Sequence, residues 1–431
     1  MVESVGRAVQ ARLYRAGALG RRPEVPVLPR RLELAARRAM SARAWAYGAG
    51  SAGQQRTARS NLAAFGRYRL VPRMLRDVAV RDLGVDLFGR RLPAPVLLAP
   101  VGVLELVHPD ADSAVARAAA QVGLPMVVST QASQPTETIA RAGGDGPRWF
   151  QLYWSRDRLL VASLVRRAEA AGCDAIVVTL DTHLLGWRPF DLDGGFLPFA
   201  QGQGIAQYTS DPVFTALARR HASAGRAPLE GRPGIGAVRT LLTLARTHPG
   251  STLANLRDPL PRAAVETFLD VFSNPALTWD DLSYLRSVTS LPVLVKGVQH
   301  PADADLALQA GVDGIVVSNH GGRQVDGATA SLDALPGVVA AVGGRVPVLF
   351  DSGVRGGADV AIALALGARA VLVGRPYVYG LALAGERGVV AVLEHLLAEL
   401  DLTLGLVGCA SVGELSRELL TVRPSSIDGV G

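Results

Sequence analysis

From residue 93 onward, eight short apolar runs rich in β-branched residues alternate with segments of helical spacing. The runs are "APVLLAPVGV", "LPMVVST", "RWFQLYW" and "DAIVVTLD", then, after a gap, "LPVLVKGV", "DGIVVSNHGG", "VPVLFDSGV" and "RAVLVGRP". A strand that is apolar along its whole length, rather than at every second residue, is covered on both faces, as in parallel sheets. Between the runs, "DADSAVARAAAQVGL", "RLLVASLVRRAEAAG", "PADADLALQAG" and "ADVAIALALGA" carry helical periodicity and reach a glycine before the next strand, a helix-ending signal. Eight βα units in series predict an α/β fold, a closed (β/α)8 TIM barrel. No glycine-rich dinucleotide fingerprint follows the first strand, which argues against a doubly wound sheet.

Two segments stand outside this pattern. Residues 1–75 are arginine-rich and predict a helical N-terminal extension; residues 189–277 form an insertion between strands four and five. The insertion carries "DGGFLPFAQGQGIAQ" and "SAGRAPLEGRPGIG" and begins on the face where such barrels hold their active sites, so it is expected to act as a lid. The whole chain, 1–431, is read as one domain, with the barrel over 76–420.

The net charge of +7 raises the question of nucleic acid, but the arginines are dispersed, aromatic residues make up only 5%, and no zinc or helix-turn-helix signature appears. No nucleic-acid partner is expected. Cys173 and Cys409 have neither disulfide-framework nor metal-site spacing, so no metal is expected and a reducing cytoplasm suits them. "MVESVGRAVQARLY" lacks a secretory apolar core, and Arg375 and Glu386 interrupt the best apolar stretch, so neither export nor a membrane span is expected.

Polar residues gather where the apolar strands stop: Gln151 and Tyr153, Thr179 and Asp181 with Arg188 beyond, Lys296, His320 and Arg323, Asp351, Ser352 and Arg355, then Gly374 and Arg375. One such residue is ordinarily a turn or cap; convergence on one barrel mouth points to chemistry. "DSGVRGGADV" and "GRPYVYG" place glycine turns before helix starts, a phosphate cradle suited to a sugar phosphate or a flavin mononucleotide. Of 45 lysine and arginine residues, only Lys296 is lysine. A compact ammonium inside an apolar strand favours the flavin, whose reduction builds negative charge needing a fixed positive neighbour. His320 is the candidate base, Asp181 its partner, Arg188 and Arg323 a carboxylate clamp, and Tyr153 a ligand for a substrate hydroxyl. His183, two residues after Asp181, is a weaker candidate for the same pocket.

"SNHGGRQ", "LPVLVKGV", "FQLY" and "DSGVRGGADV" together resemble the FMN-dependent 2-hydroxyacid oxidase and dehydrogenase family, over about residues 35 to 420. The resemblance implies FMN as cofactor, and Tyr47 in "AWAYGAGSAG" as a ligand of the substrate carboxylate alongside Tyr153, Arg188 and Arg323. It implies His320 as base with Asp181 and Lys296 as the other catalytic groups. For the cofactor it points to Pro100, Val101 and Gly102 after strand one, then Ser129, Gln151 and Thr179. Lys296 and Ser318 follow, then Asp351, Ser352, Gly353, Val354 and Arg355, and finally Gly374 and Arg375.

Within the family, "TLDTHLLGWRPFDLD", "FLPF", "SDPVF" and "KGVQHP" are most similar to the lactate 2-monooxygenases. Two departures stand out: "AGSAGQQRT" lacks the usual acidic pair near residues 54–55, and Phe190 stands where an arginine is expected. The expected reaction is oxidation of a short L-2-hydroxy acid, lactate foremost, with O2 to acetate, CO2 and water. An oxidase releasing 2-oxo acid and H2O2, or a dehydrogenase with another acceptor, are the alternatives; a non-catalytic flavin barrel would not need every catalytic position filled. A homotetramer or octamer is implied by resemblance alone.

Overall fold

The computed structural model describes residues 4–223 and 234–422. Most of "SAGRAPLEGRPGIG" and the two chain ends lie outside the described residues.

The eight apolar runs form the barrel strands β1 (Val96–Leu98), β2 (Met126–Val128), β3 (Arg148–Leu152), β4 (Ile176–Thr179), β5 (Val293–Val298), β6 (Gly314–Val317), β7 (Val348–Phe350) and β8 (Ala370–Val373). They close in chain order into one barrel, every neighbouring pair parallel and β8 pairing back to β1. The expected (β/α)8 barrel is thus the fold. Its strands read as continuous hydrophobic runs because both faces are buried. Leu97, Val127, Trp149, Val177, Leu294, Val316, Leu349 and Leu372 form one core cluster, while their neighbours Val96, Leu98, Val128 and Val178 belong to another that includes the surrounding helices. Period-two alternation therefore separates an inside from an outside, both apolar. A hairpin, Val85–Leu87 with Arg90–Leu92, adds Val85, Leu87 and Leu92 to the inner cluster, its Phe88 ring 5.6 Å from Trp149.

Four helices precede the barrel: Val5–Ala18, Pro29–Ala39, Ala42–Ala49 and Arg56–Phe65. Residues 4–39 are tied to the long final helix Arg375–Leu406: Gly6 N–H donates to Asp401 at 2.8 Å, and Leu32 and Ala36 bury against Tyr379 and Val392. In its described residues the insertion is largely helical, including Pro212–Ser223, Ile235–Thr247 and Leu260–Val271. Phe199, Tyr208, Phe214 and Phe268, each at most 2% exposed, pack ring against ring, with Tyr208 and Phe268 centroids 4.8 Å apart. Among the described residues, no helix is long and apolar enough to cross a membrane.

Candidate active site

The site follows from the register of the barrel. Two residues beyond each inward-facing apolar side chain lies the next inward position, nearer the C-terminal mouth. From Leu97, Val127, Trp149 and Val177 this step reaches Ala99, Ser129, Gln151 and Thr179; from Leu294, Val316, Leu349 and Leu372 it reaches Lys296, Ser318, Asp351 and Gly374. A dry layer is thus topped by a layer of mostly polar residues, and above it opens a cleft lined by groups from all sides of the barrel mouth.

Lys296, 3% exposed, ion-pairs with Asp351 at 3.1 Å and donates to Ser318 Oγ at 2.9 Å. Burial works to lower its pKa, but the charges of Asp351 and Asp181 outweigh it and the net shift is upward, so the ammonium stays charged. The carboxylate of Asp351 thus serves both the lysine and the turn after β7, where it accepts from Ser352 Oγ at 2.7 Å.

His320 Nδ1 lies 2.9 Å from Asp181 Oδ1, and Thr182 Oγ1 hydrogen-bonds the same carboxylate oxygen at 3.1 Å. With Nδ1 thus engaged, Nε2 is the nitrogen left for the cleft that His320 lines. Burial lowers the pKa of His320 more than Asp181 raises it, which keeps the ring neutral and able to accept a proton. Burial pushes the Asp181 carboxyl the other way, upward, but at the acid pH where it titrates the imidazole is protonated, and the charges of that ring and of Lys296 prevail and hold the carboxyl at about 2. Gly297 makes this approach possible: at φ 107°, a Cβ there would lie 2.8 Å from Asp181 Cβ. His320 itself has φ 57°, a left-handed backbone that costs a side-chain-bearing residue about 1–2 kcal/mol.

Tyr47, Tyr153, Arg188 and Arg323 all line the same cleft. Arg323 lies over the Tyr47 ring at 5.1 Å and donates to the carbonyls of Tyr47 and Gly50 at 2.5 and 2.8 Å. Arg188 donates to Arg323 O at 3.2 Å and to Gln324 Oε1 at 3.0 Å. Among the described residues neither guanidinium makes an ion pair; burial and the charge of Arg188 push Arg323 below its usual range. The charge of Asp191 reaches both arginines without forming an ion pair, so two desolvated cations remain able to attract a carboxylate from outside. Burial raises Tyr47 to about 12 and also raises Tyr153, so both phenols stay protonated as hydrogen-bond donors.

The remaining features suit FMN. Ser352 and Gly353 have φ of 84° and 98°, and the helix Arg375–Leu406 starts at Gly374 with no side-chain cap, leaving N–H groups for an anion. Arg355 and Arg375 line the cleft beside this turn. In the polar layer, Gln151 accepts from Ser129 and Thr130 through Oε1, while its Nε2 and the Thr179 hydroxyl are buried without partners. Unsatisfied buried donors are costly, and a ring edged with carbonyls and ring nitrogens would satisfy both. The residues present fit the cofactor.

Pro100, Val101, Gly102, Val354 and Gly374 reach the cleft wall; Ser129, Gln151, Thr179 and Ser318 lie in the layer beneath it. Gly102 is required by its neighbour, since a Cβ would meet Gln131 O at 2.9 Å. His183 is exposed, and its ring bonds Leu180 O at 3.2 Å; Thr182 lines the pocket in its stead. Phe190, 44% exposed, is absent from the cleft and lines a separate groove with Arg43 and Trp45. Where the acidic pair is missing, Asp326 takes the N–H groups of Gln54 and Arg56 at 2.8 and 2.7 Å. Gln324, which ties the loop after β4 to the His320 loop through Asp181 O and Leu184 O, was not singled out from sequence.

Residues 36–422 match the FMN-dependent dehydrogenase family. The chain is 42% identical over 412 residues to an FMN-dependent alpha-hydroxy acid dehydrogenase of Penicillium citrinum, covering 95% of this chain and 94% of that one. It is 40% identical to an L-lactate oxidase of Lysinibacillus sphaericus, covering 88% and 89%. Among solved structures, mandelate oxidase with (S)-4-hydroxymandelic acid matches at 38% identity and a TM-score of 0.75, covering 92% and 99%. The chain belongs to the FMN-dependent dehydrogenase family. Its activity is FMN-dependent oxidation of a 2-hydroxy acid.

Proposed function

We propose that the substrate is a short L-2-hydroxy acid, lactate foremost, and that the products under air are acetate, CO2 and water. The observation that carries the reading is the His320–Asp181 pair at 2.9 Å, set in a cleft it shares with Arg188, Arg323, Tyr47 and Tyr153. Arg323 and Arg188, with Tyr47, bind the carboxylate in a bidentate grip; Tyr153 donates to the 2-hydroxyl. His320 Nε2 takes a proton from the substrate, by a hydride or a carbanion route, and Asp181 stabilises the imidazolium. The chemistry supplied by bound FMN is acceptance of two electrons from the substrate carbon and their return to O2. Lys296, which lines the same cleft, would supply a fixed positive charge to a flavin reduced there.

Whether the 2-oxo acid is released decides the product. Lactate and O2 give pyruvate and H2O2; if both stay, peroxide attacks the 2-oxo carbon and acetate, CO2 and water result. Retention is supported by the insertion, whose buried Phe199 sits edge-on to Tyr47 at 6.4 Å. An oxidase that releases its 2-oxo acid is the second reading, supported by the lactate oxidase and mandelate oxidase relatives. Turnover of L-lactate under air with acetate, pyruvate and peroxide quantified separates them; pyruvate with stoichiometric peroxide leaves only the oxidase. A single domain over 1–431 with 189–277 as lid, O2 as acceptor, a homotetramer or octamer, and a cytoplasmic setting belong to the same proposal; light scattering checks the subunit count.

A further inference from the structure

We propose that Asn61, on the helix Arg56–Phe65 outside the barrel, is a positioning residue for His320, acting through Asn319 to hold the left-handed backbone that presents the imidazole to the cleft. The inference rests on reading His320 as the base.

The two amides, 2% and 6% exposed, bond each other reciprocally: Asn61 Nδ2 donates to Asn319 Oδ1 and Asn319 Nδ2 to Asn61 Oδ1, both at 2.8 Å. Their orientations are fixed from outside the pair. Gly322 N–H donates to Asn319 Oδ1 at 3.1 Å and Ser331 N–H to Asn61 Oδ1 at 3.1 Å, so each oxygen must stand where it does. The second Asn319 hydrogen goes to Thr329 O at 3.0 Å, which uses every donor and acceptor site of that amide.

What this clasp holds is a run of three left-handed residues, His320, Gly321 and Gly322, with φ of 57°, 65° and 79°. Glycine adopts this conformation freely, whereas histidine does not, so His320 returns toward an ordinary backbone unless its neighbours prevent it. Asn319 bridges the run by accepting from Gly322, and Asn61 fixes Asn319. The helix also blocks the loop directly: a Cβ on Gly322 would lie 2.6 Å from Ala58 N. The Asn61 side chain reaches neither the cleft nor Asp181; its backbone carbonyl packs against Gly353 of the cleft wall, a contact that side-chain substitution leaves in place, so the effect of the amide on chemistry passes through the His320 loop.

The test uses the full FMN-loaded chain, with Asn61→Ala and the near-isosteric Asn61→Asp, which keeps the acceptor for Asn319 and Ser331 but cannot donate. L-lactate and (S)-mandelate are the probes, with hydrogen exchange read by mass spectrometry. The expected result is a kcat loss of about tenfold to a hundredfold with KM nearly unchanged, the size of a misplaced catalytic group. The acid limb of kcat/KM moves up toward the ordinary histidine value as the ring hydrates, and faster exchange is confined to about residues 318–331. The Asn61→Ala, Asn319→Ala double variant loses no more than Asn319→Ala alone. Parental kcat and an unmoved acid limb in both single variants overturn the inference, as does loss that merely tracks FMN content with exchange raised throughout. If Asn61→Ala does not fold, Asn61→Asp decides by the same readouts. Parental exchange over 318–331 in Asn61→Asp overturns it even where neither probe is turned over. Parental turnover in His320→Gln removes the base reading instead, so the two failures are distinguishable.

Discussion

The two walls of the cleft are built by different physics. On one side, the loop after β6 is stitched to the N-terminal extension by directional bonds: the Asn61–Asn319 pair, Thr57 Oγ1 to Val325 O at 2.8 Å, Ala52 N–H to Gly322 O at 2.9 Å, and the Asp326 carboxylate on successive N–H groups. On the other side, the insertion packs its own aromatic rings together, and its polar bonds run to the barrel helices and the loop after β1 rather than to the His320 loop: Thr136 N–H to Gln207 Oε1 at 3.0 Å, Ser163 Oγ and Arg167 to Asp211 at 2.7 and 3.2 Å, and Gly204 N–H to Glu105 Oε1 at 2.8 Å. Hydrogen bonds fix angles; apolar packing fixes only proximity. Proton transfer needs angles, so the base sits on the stitched wall. Access and product release need movement, which suits the wall whose polar bonds leave the His320 loop untouched.

The sharpest way to break this contrast is His320→Gln. On the stitched wall a single base carries the chemistry, and its loss should lower kcat by about 10²- to 10⁴-fold while FMN content stays parental. A fall of less than tenfold, measured by steady-state oxygen consumption or by anaerobic bleaching, would show that the proton leaves by another route.

Lys296→Met comes next, because it strikes chemistry and fold together. It leaves the buried Asp351 carboxylate without its counter-charge, and removing one member of a buried pair costs about 3–5 kcal/mol. Urea unfolding followed by tryptophan emission measures that loss, and slower bleaching with hydroxy acid measures the electrostatic part. Lys296→Met, Asp351→Asn tells the two apart: stability should recover while bleaching stays slow. Bleaching at the parental rate in either variant would remove the lysine from the electronic account.

These residues were legible in the sequence because a barrel converts one-dimensional order into position. Once the strands are recognised, a step of two residues past each inward apolar side chain lands on Lys296, Gln151, Thr179 and Asp351, with no need for long-range information. The stitching was not legible. Asn61 and Asn319 are 258 residues apart, and nothing in "RSNLAAF" distinguishes a clasp from a surface amide. Tyr47 likewise entered only by resemblance, since its helix lies far from any strand end in the chain. The insertion misled in another way: its glycines and prolines drew attention to turns, while Phe199, Tyr208, Phe214 and Phe268, spread over the segment, formed a core whose spacing has no single period.

A pH series probes the stitched wall without substitution. His320 is lowered below its ordinary 6.5, chiefly by burial, and must be neutral to accept a proton, so kcat/KM should hold level as pH falls to 6.5 and decline only below it. Stability should move in the same direction. Asp181, held at about 2 against an ordinary 3.8, contributes stability that is fully present above 3.8 and lost as pH falls from there toward 2, about 2 kcal/mol in all. Urea midpoints across that range in parent and Asp181→Asn check it; the variant should lack this part of the decline, and an unchanged decline would place the acid sensitivity elsewhere.

The smallest expected effect falls on the other wall. Glu105 Oε1 accepts the Gly204 N–H, and Gly204 is pressed so close that a Cβ would lie 2.5 Å from Val103 Cγ2, which makes this the point where the insertion rests on the loop after β1. Glu105→Gln keeps an acceptor of the same reach and should behave as the parent. Glu105→Ala removes one tether and leaves the aromatic core and the bonds of Gln207 and Asp211 to Thr136, Ser163 and Arg167 intact, so kcat should change by no more than about twofold. What should move is partition: with the insertion freer to lift, more 2-oxo acid escapes before peroxide reaches it, and the pyruvate-to-acetate ratio rises. If Glu105→Ala instead lowered kcat as strongly as the Asn61 variants do, the insertion would be positioning reacting groups as well as covering them, and the division of labour between the walls would fail. An unchanged ratio with acetate still dominant would place the retention of product in the aromatic packing itself, with Phe199 against Tyr47 as the closure that matters.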